Sequence, residues 1–148
     1  MRISAKGRYA LAAMTSMAQV YSAGENVTLV SIAERLGISK IYLEQVFSRL
    51  KKAGLVISVK GSQGGYQLAR MPKEITALDV LIEVEAYLFE KAEDSVKGSA
   101  PDIETAMRKL VLDKLDEAVG LTLSGVTLSD LVEEAQKLRG KDALMFYI

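Results

Sequence analysis

The sequence predicts a mainly α chain with one small β-hairpin, arranged as a winged helix-turn-helix domain plus C-terminal dimerisation helices. Three observations predict it. Three apolar stripes of helical period open the chain, and the second and third are joined by a glycine-containing turn. A β-branched run and its return across a glycine-rich turn follow at once. Charge then divides the molecule. Residues 1–70 hold ten Lys/Arg (Arg2, Lys6, Arg8, Arg35, Lys40, Arg49, Lys51, Lys52, Lys60, Arg70) against three acids (Glu25, Glu34, Glu44). Residues 71–148 hold the other nine bases and sixteen acids, so a formal net charge of zero conceals a basic half and an acidic half. A nucleic-acid module joined to something else has this pattern, and chance unevenness is the plainer alternative.

Ala10, Ala13, Met14, Met17, Ala18 and Tyr21 form the first stripe, closed by Gly24. Leu29, Ile32, Ala33 and Leu36 form the second, with Thr28 as its expected cap and Gly37 supplying the turn. The third follows Ser39, another expected cap, and carries Leu43, Val46, Phe47 and Leu50 inward. Its other face shows Lys40, Glu44, Gln45, Ser48, Arg49 and Lys52. Gly54 stops it, Leu55 to Val59 reads as a strand, and Tyr66-Gln67-Leu68-Ala69 returns after the turn Lys60-Gly61-Ser62-Gln63-Gly64-Gly65. The same turn lacks the Gly-Lys-Ser/Thr of a phosphate-cradling loop and opens no helix.

The acidic half reads as helical. Thr76-Ala77-Leu78-Asp79 and Thr127-Leu128-Ser129-Asp130 are capping boxes ahead of apolar periodicity. Glu90 to Ala100 is polar and loops out, and Pro101 suits a first helical position. Ile103, Met107, Leu110, Val111, Leu115, Ala118 and Val119 then give a long helix with a broad apolar side. Its own twin is the simplest cover for that side, and folding back on the wing domain is the other. The expected organisation is a winged helix-turn-helix DNA-binding domain over 1–85, a loop and dimerisation helices over 86–140, and an apolar C-terminal tail over 141–148.

Composition narrows the function. The chain has no cysteine and no histidine, which removes disulfides, thiolate catalysis, the commonest metal ligand and the commonest general base near neutral pH. No cofactor and no enzymatic activity are expected. Asp113, Asp116 and Glu117 are the carboxylates an enzyme would have to use, and their spacing suits a solvated helix face better. No apolar run reaches the roughly 18 residues of a membrane span, and the polar start of the sequence lacks the apolar stretch of a signal peptide, so a cytoplasmic location is expected.

The candidate interface is double-stranded DNA. Tyr42, Glu44 and Gln45 near the start of the third helix are the natural base readers, since Glu accepts from cytosine and Gln pairs with adenine. Arg49, Lys51 and Lys52 suit phosphates, and Lys60 suits the minor groove. The full candidate set is Arg2, Lys6, Arg8, Ser39, Lys40, Tyr42, Glu44, Gln45, Arg49, Lys52, Lys60, Ser62, Gln63, Gly64 and Tyr66. A solvated helix face is the competing reading for any one of them.

Several motifs then occur in order. Arg2-Ile3-Ser4-Ala5-Lys6-Gly7-Arg8-Tyr9-Ala10, Ile41-Tyr42-Leu43-Glu44-Gln45-Val46-Phe47-Ser48-Arg49-Leu50, Ala53-Gly54-Leu55-Val56 and Gly64-Gly65-Tyr66 together resemble the Rrf-type winged-helix transcription regulators over residues 1 to about 85. The resemblance implies a homodimer whose long helix crosses to its partner and whose paired recognition helices read a palindromic operator. One branch of that family holds an iron–sulfur cluster on three cysteines in the loop before the long helix, and Glu85 to Pro101 here has none. The chain is instead similar to the cluster-free branch that represses cysteine metabolism in Gram-positive bacteria. That similarity implies a partner, cysteine synthase (O-acetylserine thiol-lyase), whose complex with the repressor is broken by O-acetylserine.

The ending Ala143-Leu144-Met145-Phe146-Tyr147-Ile148 is apolar where chain ends are usually polar. Met145, Phe146, Tyr147 and Ile148 are the candidate partner-binding residues, with the terminal carboxylate captured by backbone amides and an apolar side chain filling a pocket. Closing the dimer is the plainer role for them. A regulator of the same fold that answers another ligand or partner also stays open.

Overall fold

A computed structural model of the chain describes residues 3–61 and 64–146, with side chains described up to Asp142. The helix α1 (Ala5–Gln19) starts at Ser4, whose hydroxyl accepts from the Gly7 N–H, and buries Ala10, Ala13, Met14, Met17 and Ala18. A short 3-10 turn, Tyr21–Ala23, continues it before Gly24. α2 (Leu29–Leu36) is capped by Thr28, whose hydroxyl accepts from the Ser31 N–H. Gly37 then takes φ 66°, a left-handed conformation that a Cβ would strain, and this fixes the angle at which the next helix departs.

α3 (Lys40–Lys52) buries the expected stripe of Leu43, Val46, Phe47 and Leu50. Ser39 stands at its cap position, but the Ser39 hydroxyl makes no cap bond. Strands β1 (Val56–Ser58) and β2 (Tyr66–Leu68) form an antiparallel hairpin with Val56 opposite Leu68 and Ser58 opposite Tyr66. Tyr66 also exchanges backbone hydrogen bonds of 2.8 and 2.9 Å with Val27, so the wing is tied to the segment that enters α2. Gly65 makes this junction at φ 129°, where a Cβ would come within 3.1 Å of the Val27 carbonyl oxygen.

α4 (Ala77–Val84) begins in a complete capping box: the Asp79 N–H donates to the Thr76 hydroxyl and the Thr76 N–H donates to the Asp79 carboxylate. It buries Val80, Leu81 and Val84 against α1 and α3. After a loop, one helical rod runs from Pro101 to Ser124. It consists of α5 (Pro101–Met107), a wide π turn over Arg108–Leu112, and α6 (Asp113–Ser124).

The last helix, α7 (Leu128–Phe146), starts in the second expected capping box, with Thr127 and Asp130 exchanging the same pair of bonds. It returns along α1. Its first residue, Leu128, is fully buried in the N-terminal core, and its N–H donates to the Ile75 carbonyl. The helix continues through Gly140, so the apolar ending is helical as far as Phe146. No described helix is long and apolar enough to cross a membrane.

Candidate nucleic-acid interface

The buried side of α3 dictates which residues it offers outward. Because Leu43, Val46, Phe47 and Leu50 are wholly enclosed, the helix cannot roll, and positions 41, 44, 45 and 48 form one outward row at i, i+3, i+4 and i+7. Glu44 and Gln45, two of the expected base readers, are exposed on that row. The Lys40 ammonium lies 3.7 Å from the Glu44 carboxylate and holds it on the row. Both side chains are about half exposed, so this pair orients more than it stabilises. Arg49, Lys51 and Lys52 are exposed in the last turn.

Tyr42 occupies a different position from Glu44 and Gln45. It is half-buried, with its ring edge-on to Tyr9 at 5.3 Å and the Lys6 ammonium 6.0 Å from its centroid. It therefore joins the start of α3 to the start of α1, bringing Lys6 beside α3. The Arg8 guanidinium donates to the Ile3 carbonyl at 2.7 Å and stays exposed. Ser39 is exposed, and with no side-chain cap its hydroxyl and the first N–H groups of α3 are open to an anion such as a phosphate oxygen.

The wing leans on the same helix. The Tyr66 ring packs on Phe47 at 5.0 Å and is half-buried, so Tyr66 positions the hairpin. Lys60 is exposed at the hairpin end, and Gly64 takes φ 60° beside it. Arg2, Ser62, Gln63, Tyr147 and Ile148 lie outside the described residues, as do the side chains of Met145 and Phe146.

Two acidic groups that local sequence patterns do not single out hold the rest together. The Ser4 N–H and hydroxyl both donate to Glu85 Oε1, at 2.8 and 2.6 Å, so the end of α4 clamps the start of α1. Gly7 is what lets this carboxylate approach, because a Cβ there would overlap Glu85 and Ile3. Glu104, 3% exposed, accepts from the Ser95 and Val96 N–H groups at 3.0 and 2.8 Å and lies 3.3 Å from Arg108 Nε. Arg108 also donates to the Ala92 carbonyl and to Asp94, pinning the loop to the long helix. A hydrogen bond from Lys97, reinforced by Arg108, holds the Asp94 carboxyl below the usual carboxylate range.

A helix-turn-helix with a basic outward face and a hairpin packed on its recognition helix defines the class of winged-helix DNA-binding proteins. Comparison with known proteins gives the family. The model of the Rrf2 family, described as iron-dependent transcriptional regulators, matches residues 3–134, and the chain belongs to that family. It is 38% identical to the transcriptional regulator CymR of Bacillus subtilis over 148 residues, all of both chains. It is 38% identical to the regulator IscR of Photorhabdus laumondii over 138 residues, 93% of this chain and 83% of that one. Among solved structures, CymR of B. subtilis, described as that organism's global cysteine regulator, superposes with a TM-score of 0.75 at 35% identity, covering 90% of this chain and 98% of that one. The chain is thus a DNA-binding transcriptional regulator of the CymR and IscR type, and these relatives are not enzymes.

The iron implied by the family description does not fit this chain. There is no thiol or imidazole to ligate it. Of the carboxylates nearest the loop before the long helix, Glu104 in α5 is committed to two backbone N–H groups of that loop, and Asp94 within it to Lys97 and Arg108. No cluster of three candidate ligands occurs among the described residues.

Proposed function

We propose that the chain is a cytoplasmic homodimer that represses cysteine and sulfur-metabolism genes from a palindromic operator. It acts in complex with cysteine synthase, and O-acetylserine dissolves that complex. The observation that carries this reading is the end-to-end relation to B. subtilis CymR, together with that protein's description as a global cysteine regulator. The dimer is supported by the long helix, which leaves Ile103, Leu110, Val111, Leu115 and Leu121 each more than half exposed along one rod. Two heads related by that rod would place two α3 helices in successive major grooves of one duplex. In this reading Glu44 and Gln45 read bases, Ser39, Lys40, Arg49, Lys52 and the Lys6–Arg8 segment meet phosphates, and Lys60 flanks the minor groove. The apolar residues Met145, Phe146, Tyr147 and Ile148 supply the surface that the synthase captures.

The test is a pull-down of cysteine synthase by the intact chain and by a form lacking Tyr147 and Ile148, each with and without O-acetylserine. The intact chain is expected to retain the synthase and to release it when O-acetylserine is added, while the shortened form retains none and stays folded. Retention by the shortened form overturns the role of the tail. No retention by the intact chain overturns the partner.

A further inference from the structure

One residue on the outward row of α3 is neither charged nor polar. Ile41 is 70% exposed, the most exposed large apolar side chain among the described residues of the N-terminal half. Folding does not ask for it. It is not among the buried residues that fix α3, and a β-branched residue in the first turn of a helix loses rotamer freedom that a lysine or glutamate would keep. A lone exposed apolar residue is ordinary on a protein surface, so position decides its meaning. Ile41 lies three and four residues before Glu44 and Gln45, on the same row and one turn nearer the helix N-terminus. The adjacent aromatic, Tyr42, is turned away onto Tyr9 and leaves Ile41 as the only apolar group on that row.

We infer that Ile41 is a specificity-determining residue that packs on the C5-methyl group of a thymine in each operator half-site. The thymine methyl is the one apolar feature on the major-groove edge of the four bases, and a branched aliphatic side chain is its natural complement. Cytosine presents hydrogen at that carbon and a purine presents none, so the contact excludes both by leaving Ile41 against water or a polar edge. Glu44 and Gln45 would then read neighbouring positions by hydrogen bonds, and Ile41 would read one by shape.

The inference rests on α3 being the recognition helix, and the experiment separates the two. A preferred duplex is selected from random sequence with the intact wild-type protein. Each thymine of the half-site is then replaced in turn by deoxyuridine, which differs only in lacking the C5-methyl. Affinities are measured for wild type, Ile41→Ala and Ile41→Val, with thermal melting as a check that these exposed substitutions leave the fold intact. At one thymine, removing the methyl is expected to weaken wild type about fourfold per half-site, roughly fifteenfold on a two-fold site. The same removal leaves Ile41→Ala unchanged and weakens Ile41→Val nearly as much as wild type. Equal losses in wild type and Ile41→Ala at every thymine overturn the assignment and leave α3 as the reader. A wild-type protein that selects no sequence overturns both.

Discussion

Two faces of this molecule lie open, and their chemistry is opposite. The outward row of α3 carries Glu44, Gln45 and Ser48 around one isoleucine, flanked by Lys40, Arg49 and Lys52. The long helix exposes Ile103, Leu110, Val111, Leu115 and Leu121 at 54%, 62%, 52%, 56% and 68%. Fully burying such a side chain is worth roughly 1.5–3 kcal/mol, whereas an exposed ion pair is worth about 0–1 kcal/mol. The apolar face therefore suits a permanent mate whose hold is indifferent to salt. The polar face suits a polyanion, held through released counterions and let go as salt rises. In the proposed reading, lasting association and reversible reading are thus placed on separate helices.

The sharpest way to break that contrast is to charge the apolar face. Leu115→Glu removes nothing from the monomer core, since Leu115 is over half exposed. It is expected to leave monomers in sedimentation and to weaken operator binding on the order of 10²–10⁴-fold, because the second half-site no longer binds in a linked step. A smaller effect tests the joint between the head and the loop. Glu85→Ala removes the acceptor of both Ser4 bonds, and urea unfolding should report a loss of about 1–2 kcal/mol with the dimer retained. The smallest concerns acid. The Asp94 carboxyl sits lower in the folded chain than its ordinary value, so its contribution is present above about pH 4 and fades as pH falls through that lowered value. Asp94→Asn should flatten the acid side of the stability profile of the 91–100 loop, read by amide hydrogen exchange, and leave neutral-pH DNA binding unchanged.

The head was readable because its information is local. Three stripes, a glycine turn and a hairpin follow one another within seventy residues, and each is written in spacing that period or turn chemistry decodes. Both capping boxes were legible for the same reason. What escaped depends on partners far away in the chain. The Ser4–Glu85 clamp spans 81 residues, and only Gly7, an odd residue for a first helical turn, hints at a close approach. The burial of Glu104 follows from the fold of the preceding loop, which has no periodicity to read. The π turn at Arg108–Leu112 sits inside an apolar repeat that fits an ordinary helix equally well. Gly140 looks like a stop signal, yet the helix passes through it because a single glycine costs only about 1 kcal/mol. In α3, periodicity separated inside from outside correctly but could not show that Tyr42 leans on Tyr9.

Leu128 has a practical consequence for anyone who wishes to dissect the molecule. Its side chain is fully enclosed in the core built by the first eighty-four residues, and its N–H closes the backbone at Ile75. Cutting after Val84 to obtain a minimal reading head would therefore excavate a leucine-sized hollow and strip α7 from α1, a penalty of the kind that costs about 2–5 kcal/mol for a single truncation alone. An autonomous reading head must therefore keep Glu85, which holds Ser4, and the start of α7, which carries Leu128.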